Sequence, residues 1–509
     1  MPSKSLDLDV LSIIFEYLLL MHAKDSESHP SVASYLMSLS ETCRVLRMAA
    51  MPIIFREGHN WKMVISEGLL RQVSPSDAMW PSTVWQYIRK LHVHDFDEGG
   101  EAINLSPLVL VLPKLPAVKH IRFQLRNRPP ADLLLASSLI LSVDTVEFHT
   151  ARFDGPSLAC CFARWSHLRS LAIFIDLYRK EDLNLGEEFE NIRCILQTLA
   201  GNLGELEISG DLVGMLTLSA ISWPYLRKLV LTDHIPFGET IPLTTMVVHM
   251  PSLRILALNF TAVITWKDYD PIIFCFHAEN TPSPPLSSVL PDLRVLSISN
   301  ALPEDPIFQQ LPPNLEVLRL LALRDPLRRN ENLQQPWYGY STLNEAAAFR
   351  VIQIAGGFPL VELALNLEKA PSPAILQAIA ASCPSLRILE LEAWRHEIND
   401  RESQYSIASL IQPLVQLQHL RDLRLSLELG HHVDSGYRIF PMFRVNIKRR
   451  MNAAAQQFAE GLPQLHYIGF SFWNNYTFDG LTRHLIWYWC GIFRGRPEEP
   501  PVVKFLKYL

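Results

Sequence analysis

The feature that most constrains this chain is a short apolar frame, Leu-x-x-Leu-x-Leu, that recurs along most of its length. The segments MPSLRILAL (250–258) and CPSLRILEL (383–391) show it most clearly, because seven of their nine letters agree. With Ile, Val or Phe admitted at the apolar positions, the frame occurs thirteen times. Its first positions are Ile88, Val118, Val143, Leu168, Leu203, Leu226, Leu253, Leu293, Leu315, Leu360, Leu386, Leu420 and Leu465. Such recurrence predicts one structural unit stacked many times.

Within each frame, the last two apolar residues predict a short strand. Alternate side chains of a strand point to the same side, so the two apolar residues of x-Leu-x-Leu-x share one face. So short a strand buries that face only by stacking beside its neighbours, and parallel stacking requires helical crossovers. The spacers 187–199, 344–354, 372–382 and 453–458 carry helical apolar periodicity. The chain is therefore predicted to be α/β.

This pattern resembles an irregular leucine-rich-repeat solenoid, over roughly residues 85–475. The resemblance implies a horseshoe with parallel β-strands on its concave face and helices on its convex face. Two departures are visible in the sequence. The frames are unevenly spaced, and the Asn expected three residues after the last strand Leu is mostly missing, as at Thr261. We therefore expect irregular curvature and no ladder of asparagines bonded to the backbone.

Composition and charge narrow the class of protein. The 509 residues carry a net charge of −6, and the pI is near 6.3, so we expect no nucleic-acid partner. No basic segment followed by an apolar core and a cleavage site opens the chain, and no stretch is long enough to span a bilayer, so we expect no membrane partner. The seven cysteines follow no paired spacing. These observations predict a cytoplasmic or nuclear protein.

The first residues have a different period from the repeats. In LDLDVLSIIFEYL (6–18), the stripe Leu8, Leu11, Phe15 and Leu18 lies beside a second stripe, Val10, Ile14 and Tyr17. A helix that is apolar on two faces is buried on both sides. Because so short a segment cannot cover both faces, we expect one of them to bind a partner.

Together with LSETCRVLR (39–47) and PIIFR (52–56), this segment resembles an F-box. F-box proteins with irregular leucine-rich repeats, common in fungi, are substrate receptors of SCF-type cullin–RING ubiquitin ligases. The resemblance implies a small all-α domain that binds the Skp adaptor and, through it, cullin. Asp7, where the family usually has Pro, and the insert at 22–31 depart from the pattern. By position, the residues implied to form or support the adaptor face are Leu6, Leu8, Val10, Leu11, Ile14, Phe15, Leu18, Leu39, Cys43 and Leu46.

We therefore expect four regions. They are an F-box-like helical domain (1–57), a linker or N-terminal cap (58–84), a solenoid of about thirteen units (85–475) and a C-terminal aromatic cap or tail (476–509). In the tail, Ile486, Trp487, Trp489 and Phe493 are expected to cover the open end of the solenoid.

Residues that flank the inward positions of each strand are predicted to face a protein substrate on the concave side. The candidates are Lys90, His92, His94, Arg122, Val230, Ile255, Ala257, Val295, Val317, Arg319, Glu390 and Glu392. The middle of this concave face is apolar, and an exposed apolar patch favours binding of a partner. The alternative is that the spacer 324–341, with Trp337 and Tyr338, covers this strip.

No nucleotide-binding, nucleophile-elbow or zinc-protease motif is present in the sequence. We therefore expect a non-catalytic adaptor with no cofactor. His92 and His94, near Asp95 and Asp97, are either surface histidines, which we favour, or ligands of a metal. Two further hypotheses stay open: a repeat scaffold that binds proteins without a ubiquitin-ligase role and, more weakly, a GTPase regulator.

Overall fold

The computed structural model describes residues 10–11, 13–15, 32–59, 82–96, 102–149, 151–175, 184–236, 241–261, 284–302, 304–323, 343–393, 405–427, 441–474, 484–496 and 499–508. The chain divides into two compact units. Met1–Val213 with Ile221–Leu226 form the first, and Gly214–Ala220 with Arg227–Leu509 form the second.

The first unit contains six strands in sequential order, each parallel to the one before. They are β1 (Glu57–His59), β2 (Lys90–His94), β3 (His120–Gln124), β4 (Thr145–His149), β5 (Ser170–Phe174) and β6 (Glu205–Ser209). Strands β2 to β6 arise from the first five frames. Strand β1 contains no frame and was not predicted.

The second unit contains eight parallel strands followed by two antiparallel ones. The parallel strands are β7 (Lys228–Asp233), β8 (Ile255–Phe260), β9 (Val295–Ser299), β10 (Val317–Leu321), β11 (Glu362–Leu367), β12 (Ile388–Ala393), β13 (Asp422–Leu425) and β14 (Tyr467–Asn474). The antiparallel strands are β15 (His484–Phe493) and β16 (Val502–Tyr508). They occupy the region predicted to be an aromatic cap or tail.

All thirteen frames form strands, and their apolar positions form the core. Every residue at a first, fourth or sixth position of a frame is at most 6% exposed, and most are completely buried. Burying one such Leu or Ile side chain stabilises the fold by about 2 kcal/mol. The parallel sheet, the helical crossovers and this buried repeat make the fold an irregular leucine-rich-repeat solenoid, as predicted.

Helices connect the strands. They are α1 (Val32–Thr42), α2 (Arg44–Ile54), α3 (Ser106–Val111), α4 (Ala131–Ser138), α5 (Ala159–Phe162), α6 (Leu185–Leu199), α7 (Met215–Ala220), α8 (Leu243–Val247), α9 (Leu286–Val289), α10 (Glu345–Ala355), α11 (Pro373–Ser382), α12 (Ile407–Leu414) and α13 (Pro441–Gly461). Short 3-10 helices occupy Ser82–Tyr87, Leu112–Lys114, Gly210–Leu212 and Pro306–Gln309. The four predicted crossover helices correspond to α6, α10, α11 and α13. The side chains of Asn184, Asn344 and Ser372 cap α6, α10 and α11 by accepting backbone N–H hydrogen bonds.

Polar side chains replace the missing asparagine ladder in one place. The side-chain amide of Asn300, in the left-handed region at φ 53°, donates to the carbonyls of Phe260 and Leu323, each at 2.9 Å. The Ser299 hydroxyl donates to the Phe260 carbonyl, and the Thr261 hydroxyl donates to the Asp233 carbonyl at 2.9 Å. A local polar rung therefore ties the ends of these strands together. Asn300 is a single bonded asparagine and not part of a ladder, and it lies one position earlier than the repeat pattern places the residue.

Candidate protein-binding faces

The N-terminal helices separate their apolar residues into a buried set and an exposed set. Leu11 and Phe15 are buried in a small core with Leu36, Ala49 and Ala50, against which Leu39 and Leu46 pack partly buried. Val10 and Ile14 are 46% and 44% exposed. Leu11 and Phe15 therefore support the helices, and Val10 and Ile14 belong to the face that is left uncovered.

Sequence reasoning missed one member of that exposed face. Ile13, which belongs to neither predicted stripe, is 67% exposed. Cys43 is also exposed. Leu6, Leu8 and Leu18 lie outside the described residues, as does the Pro-to-Asp departure at Asp7. The assignment of this face to the Skp adaptor stays a prediction.

The side of each sheet opposite the buried frame positions is called the open face here. In the first unit its nine positions on β2, β3 and β4 are all half-buried. The strand register forms three rows across the strands: Lys90–His120–Thr145, His92–Arg122–Glu147 and His94–Gln124–His149. The predicted candidates Lys90, His92, His94 and Arg122 are thus brought together. His120, Glu147 and His149 complete the cluster, and stacking the frames in register would have identified His149.

Glu147 lies at the centre of this cluster. Its carboxylate is 3.1 Å from His120 Nε2, 3.2 Å from His149 Nε2 and 3.8 Å from Arg122 Nε. Hydrogen bonds from His120 and His149 outweigh the effect of burial, and they hold the pKa of Glu147 well below its ordinary value. Arg122 Nη2 also lies 3.4 Å from His149 Nδ1. These distances fit a relay in which the guanidinium donates to His149 and His149 donates to Glu147.

Asp95, one of the candidate metal ligands, binds backbone groups. The Asp95 carboxylate accepts the backbone N–H groups of Arg126 at 3.0 Å and Asn127 at 3.2 Å. It therefore fixes the loop after β3. Asp97 lies outside the described residues. Across the described part of the chain, no group of three or more His, Cys, Asp or Glu side chains is placed to share a metal ion.

In the second unit, the open face begins with an apolar strip. Val230 and Ala257 are each 7% exposed, while Ile255, Val295 and Val317 are half-buried. The strip therefore presents a partner mainly with Ile255, Val295 and Val317. The spacer 324–341, predicted as an alternative cover, lies outside the described residues.

Beyond this strip the open face becomes charged. Arg319 Nε on β10 is 2.6 Å from the Glu362 carboxylate on β11. Glu390 on β12 lies beside Arg424 on β13, with 2.5 Å between Oε2 and Nη1. Arg424 Nη2 is 3.4 Å from Asp422. Two of the predicted candidates, Arg319 and Glu390, therefore already hold oppositely charged partners within the chain, and Glu392 is half-buried nearby on β12.

An aromatic side chain closes this charged cluster. The Arg424 guanidinium lies 4.8 Å from the ring centroid of Trp489, and Tyr467 stacks on Trp489 at a centroid distance of 6.2 Å. Gly469 makes room for the indole, because a Cβ at this position would lie 2.7 Å from a ring carbon of Trp489. Trp489 thus covers the end of the open face, and its role as a cap of the last repeat stays a prediction. Phe493, which was predicted to share that role, is 50% exposed because it lies at the end of β15.

Burial shapes the titration of this cluster. It raises the pKa of Asp422, helped by the negative charges of Glu390 and Glu362 and opposed by Arg424. Burial by itself would lower the pKa of Arg424, but Glu390 and Asp422 raise it above its ordinary value. Asp422 and Arg424 were not among the predicted site residues, although the alternation within the HLRDLRL frame places them on this face.

Comparisons with known proteins complete the description. No family model matches the chain, and no curated protein sequence matches it. Among solved structures, an internalin from Listeria monocytogenes str. 4b F2365 matches 71% of this chain and 86% of its own chain, with 13% identity and a TM-score of 0.34. The leucine-rich-repeat fold of this chain rests on its own thirteen strands and their buried frame positions.

Proposed function

We propose that the chain is a non-catalytic scaffold that binds other proteins through the open faces of its sheets. One observation carries this proposal. The buried positions repeat the same few aliphatic and aromatic residues in every strand, whereas the half-buried open positions differ from strand to strand in charge and size. Since the core does not require that variety, the open positions are suited to bind a shaped partner surface.

A pair of matched charge reversals tests this proposal. Arg319→Glu reverses an exposed arginine that is ion-paired on the open face. Arg350→Glu reverses a somewhat more exposed arginine, paired with Glu304, on helix α10. Proteins crosslinked to the tagged wild type and to each variant are quantified by mass spectrometry.

We expect specific partners to be lost several-fold with Arg319→Glu, and with Ile255→Asp, but retained with Arg350→Glu. Equal melting temperatures of the variants confirm that folding is intact. Partners that persist through both open-face changes, or that depend equally on Arg350, would contradict binding through the open face.

A second candidate function is that of a substrate receptor in an SCF-type ubiquitin ligase, with a protein substrate on the open face. The observation that favours it is the exposed apolar set Val10, Ile13 and Ile14 on the N-terminal helices, which the F-box resemblance assigns to the Skp adaptor. In this function the chain contributes proximity, and the ubiquitin-transferring enzyme supplies the chemistry.

Direct binding to a purified Skp-type adaptor tests this candidate. The double variant Val10→Asp with Ile14→Asp removes exposed surface and spares the buried Leu11 and Phe15. Leu141→Asp is the matched control, because Leu141 is 81% exposed elsewhere in the first unit. We expect wild type and Leu141→Asp to bind the adaptor and the double variant to lose it. If wild type binds no adaptor, the ligase function fails and the scaffold function stands.

A further inference from the structure

The open face of β2, β3 and β4 is unusually rich in hydrogen-bond donors. Among its nine positions are one lysine, one arginine, one glutamine and four histidines, against the single carboxylate of Glu147. Lysine and arginine donate only, and a neutral imidazole still carries one N–H. An ionised carboxylate accepts only, so its chemistry complements this face.

Glu147 shows how this face holds a carboxylate. His120 and His149 lie 3.1 and 3.2 Å from its two oxygens, and their hydrogen bonds keep it ionised. One carboxylate cannot serve every donor around it. Arg122 Nε is buried and has no hydrogen-bond acceptor among the described residues, since Glu147 is 3.8 Å away, but the side chain as a whole is 35% exposed, so a further carboxylate can reach its exposed part. The cluster therefore has unused capacity for a second acceptor.

Two nearby carboxylates, Asp95 and Asp144, have other hydrogen-bond partners. The Asp95 carboxylate is bonded to the backbone N–H groups of Arg126 and Asn127. Asp144 accepts the Thr145 hydroxyl at 2.9 Å. On the next strand, β5 presents Ser170, Ala172 and Phe174, and Phe174 contacts His149 with 4.7 Å between ring centroids. The donor cluster thus ends at an apolar border.

We propose that this donor cluster binds an acidic peptide segment of a partner protein, which rests on and sharpens the proposed scaffold function. Side chains on one side of an extended peptide recur about every 7 Å. The same distance separates Lys90 from His92 and His120 from Arg122, because these residues are also two apart on a strand. A peptide with acidic side chains at alternate positions, lying along the strands, fits this spacing. With only two permanent cations the face favours such a peptide over a nucleic acid, whose binding requires many phosphate contacts.

The test uses a fluorescein-labelled peptide of alternating Glu and Ser, titrated against the full-length chain by fluorescence anisotropy at low salt. A Lys–Ser peptide of the same length and an oligouridylate are the comparison probes. We expect the Glu–Ser peptide to bind, and Arg122→Gln and Lys90→Gln each to weaken it by about tenfold. Glu147→Gln removes the competing carboxylate and is expected to tighten binding several-fold. Arg193→Gln on α6, where Arg193 pairs with Glu190, is the control that leaves binding unchanged.

The outcomes separate the two proposals. Glu–Ser binding that is absent, that ignores Arg122 and Lys90, or that is matched by the Lys–Ser peptide overturns the acidic-peptide site. Tighter binding of the oligouridylate with the same dependence on Arg122 assigns the face to nucleic acid and also overturns it. If the peptide fails while captured partners still depend on Arg319 and Ile255, the scaffold function stands without this site. If both tests fail, the scaffold function fails as well.

Discussion

The open faces of the two units carry opposite arrangements of the same chemistry. On β3 and β4, one carboxylate, Glu147, lies among His120, Arg122 and His149. On β12 and β13, one guanidinium, Arg424, lies between Glu390 and Asp422. The two clusters occupy equivalent places on their strands, because Glu147 and Arg424 both lie between the two buried strand positions of their frame.

The pKa values of the Glu147 and Asp422 carboxylates in the two clusters shift in opposite directions. The Glu147 carboxylate gains more from its donors than it loses by burial, so its pKa is lowered. The Asp422 carboxylate loses more by burial, and by the charges of Glu390 and Glu362, than it gains from Arg424, so its pKa is raised. One repeat scaffold therefore supports both a stabilised and a destabilised carboxylate, and the surrounding residues decide which one results.

The largest loss of stability is expected when the cation is removed from the cluster of Arg424, Glu390 and Asp422, which we call the second cluster. Arg424→Leu leaves the carboxylates of Glu390 and Asp422, 18% and 15% exposed, without their cation. We expect a loss of about 2 kcal/mol in the free energy of unfolding, less than a fully buried pair because Arg424 is partly solvated. Urea denaturation measures it. The exposed Arg421 on the same frame provides the control, since Arg421→Leu should change stability little.

A smaller loss of stability is expected when the carboxylate is removed from the first cluster, which consists of Glu147, His120, Arg122 and His149. Glu147→Gln keeps a hydrogen-bonding side chain but loses the charge that His120 and His149 contact, which we expect to cost about 1 kcal/mol near neutral pH. A carboxylate whose pKa is lowered by folding stabilises the fold fully above its ordinary pKa. This stabilisation is lost as the pH falls from the ordinary pKa through the folded-state pKa. The difference from wild type should therefore shrink as the pH falls below about 4.

That pH dependence has a direct readout. Hydrogen exchange of the peptides covering β3 and β4 reports their local stability across the pH series. A difference between wild type and Glu147→Gln that grows as the pH falls below about 4 would show that the histidine contacts do not stabilise the ionised carboxylate.

Asp422 is expected to show the opposite trend. Because its folded-state pKa is raised, the folded chain binds a proton before the unfolded chain does. Wild type should therefore gain stability relative to Asp422→Asn as the pH falls from neutral toward about 4. Hydrogen exchange of β13 and β14 measures this difference. Parallel slopes for Asp422→Asn and Glu147→Gln would remove the distinction between the two clusters.

The sequence predicts the strands far better than the ends of the sheets. Thirteen frames yield thirteen strands because each frame alone specifies which side chains are buried. Strands β1, β15 and β16 carry no frame, and they form because a neighbouring strand edge is available for pairing. Such pairing depends on distant residues, so local periodicity does not predict it.

Alternation along the strands predicts which residues lie on the open face better than it predicts their contacts. Alternation assigns Arg122 and Glu390 to the open face, and stacking the frames in register would also have placed Arg424 beside Glu390. Alternation does not reveal that Arg319 reaches Glu362 or that Trp489 covers Arg424, since both depend on side-chain rotamers and on the antiparallel return of β15. At the N-terminus, periodicity identified two apolar stripes, but only packing against Leu36, Ala49 and Ala50 decides which stripe is buried.

The smallest loss of stability is expected at the solvent-exposed ion pair between Arg319 and Glu362. Arg319 and Glu362 lie 2.6 Å apart, like Arg424 and Glu390, but the arginine is 44% exposed. Solvent screens the attraction at the exposed arginine, so Arg319→Gln should cost about 0.5 kcal/mol, and less at high salt. Urea denaturation at low and high salt checks this, with Arg350→Gln as a control of similar exposure. A loss that equals that of Arg424→Leu and resists salt would mean that the contact between β10 and β11 excludes water as fully as that between β12 and β13, and that solvent exposure does not set the difference between these two ion pairs.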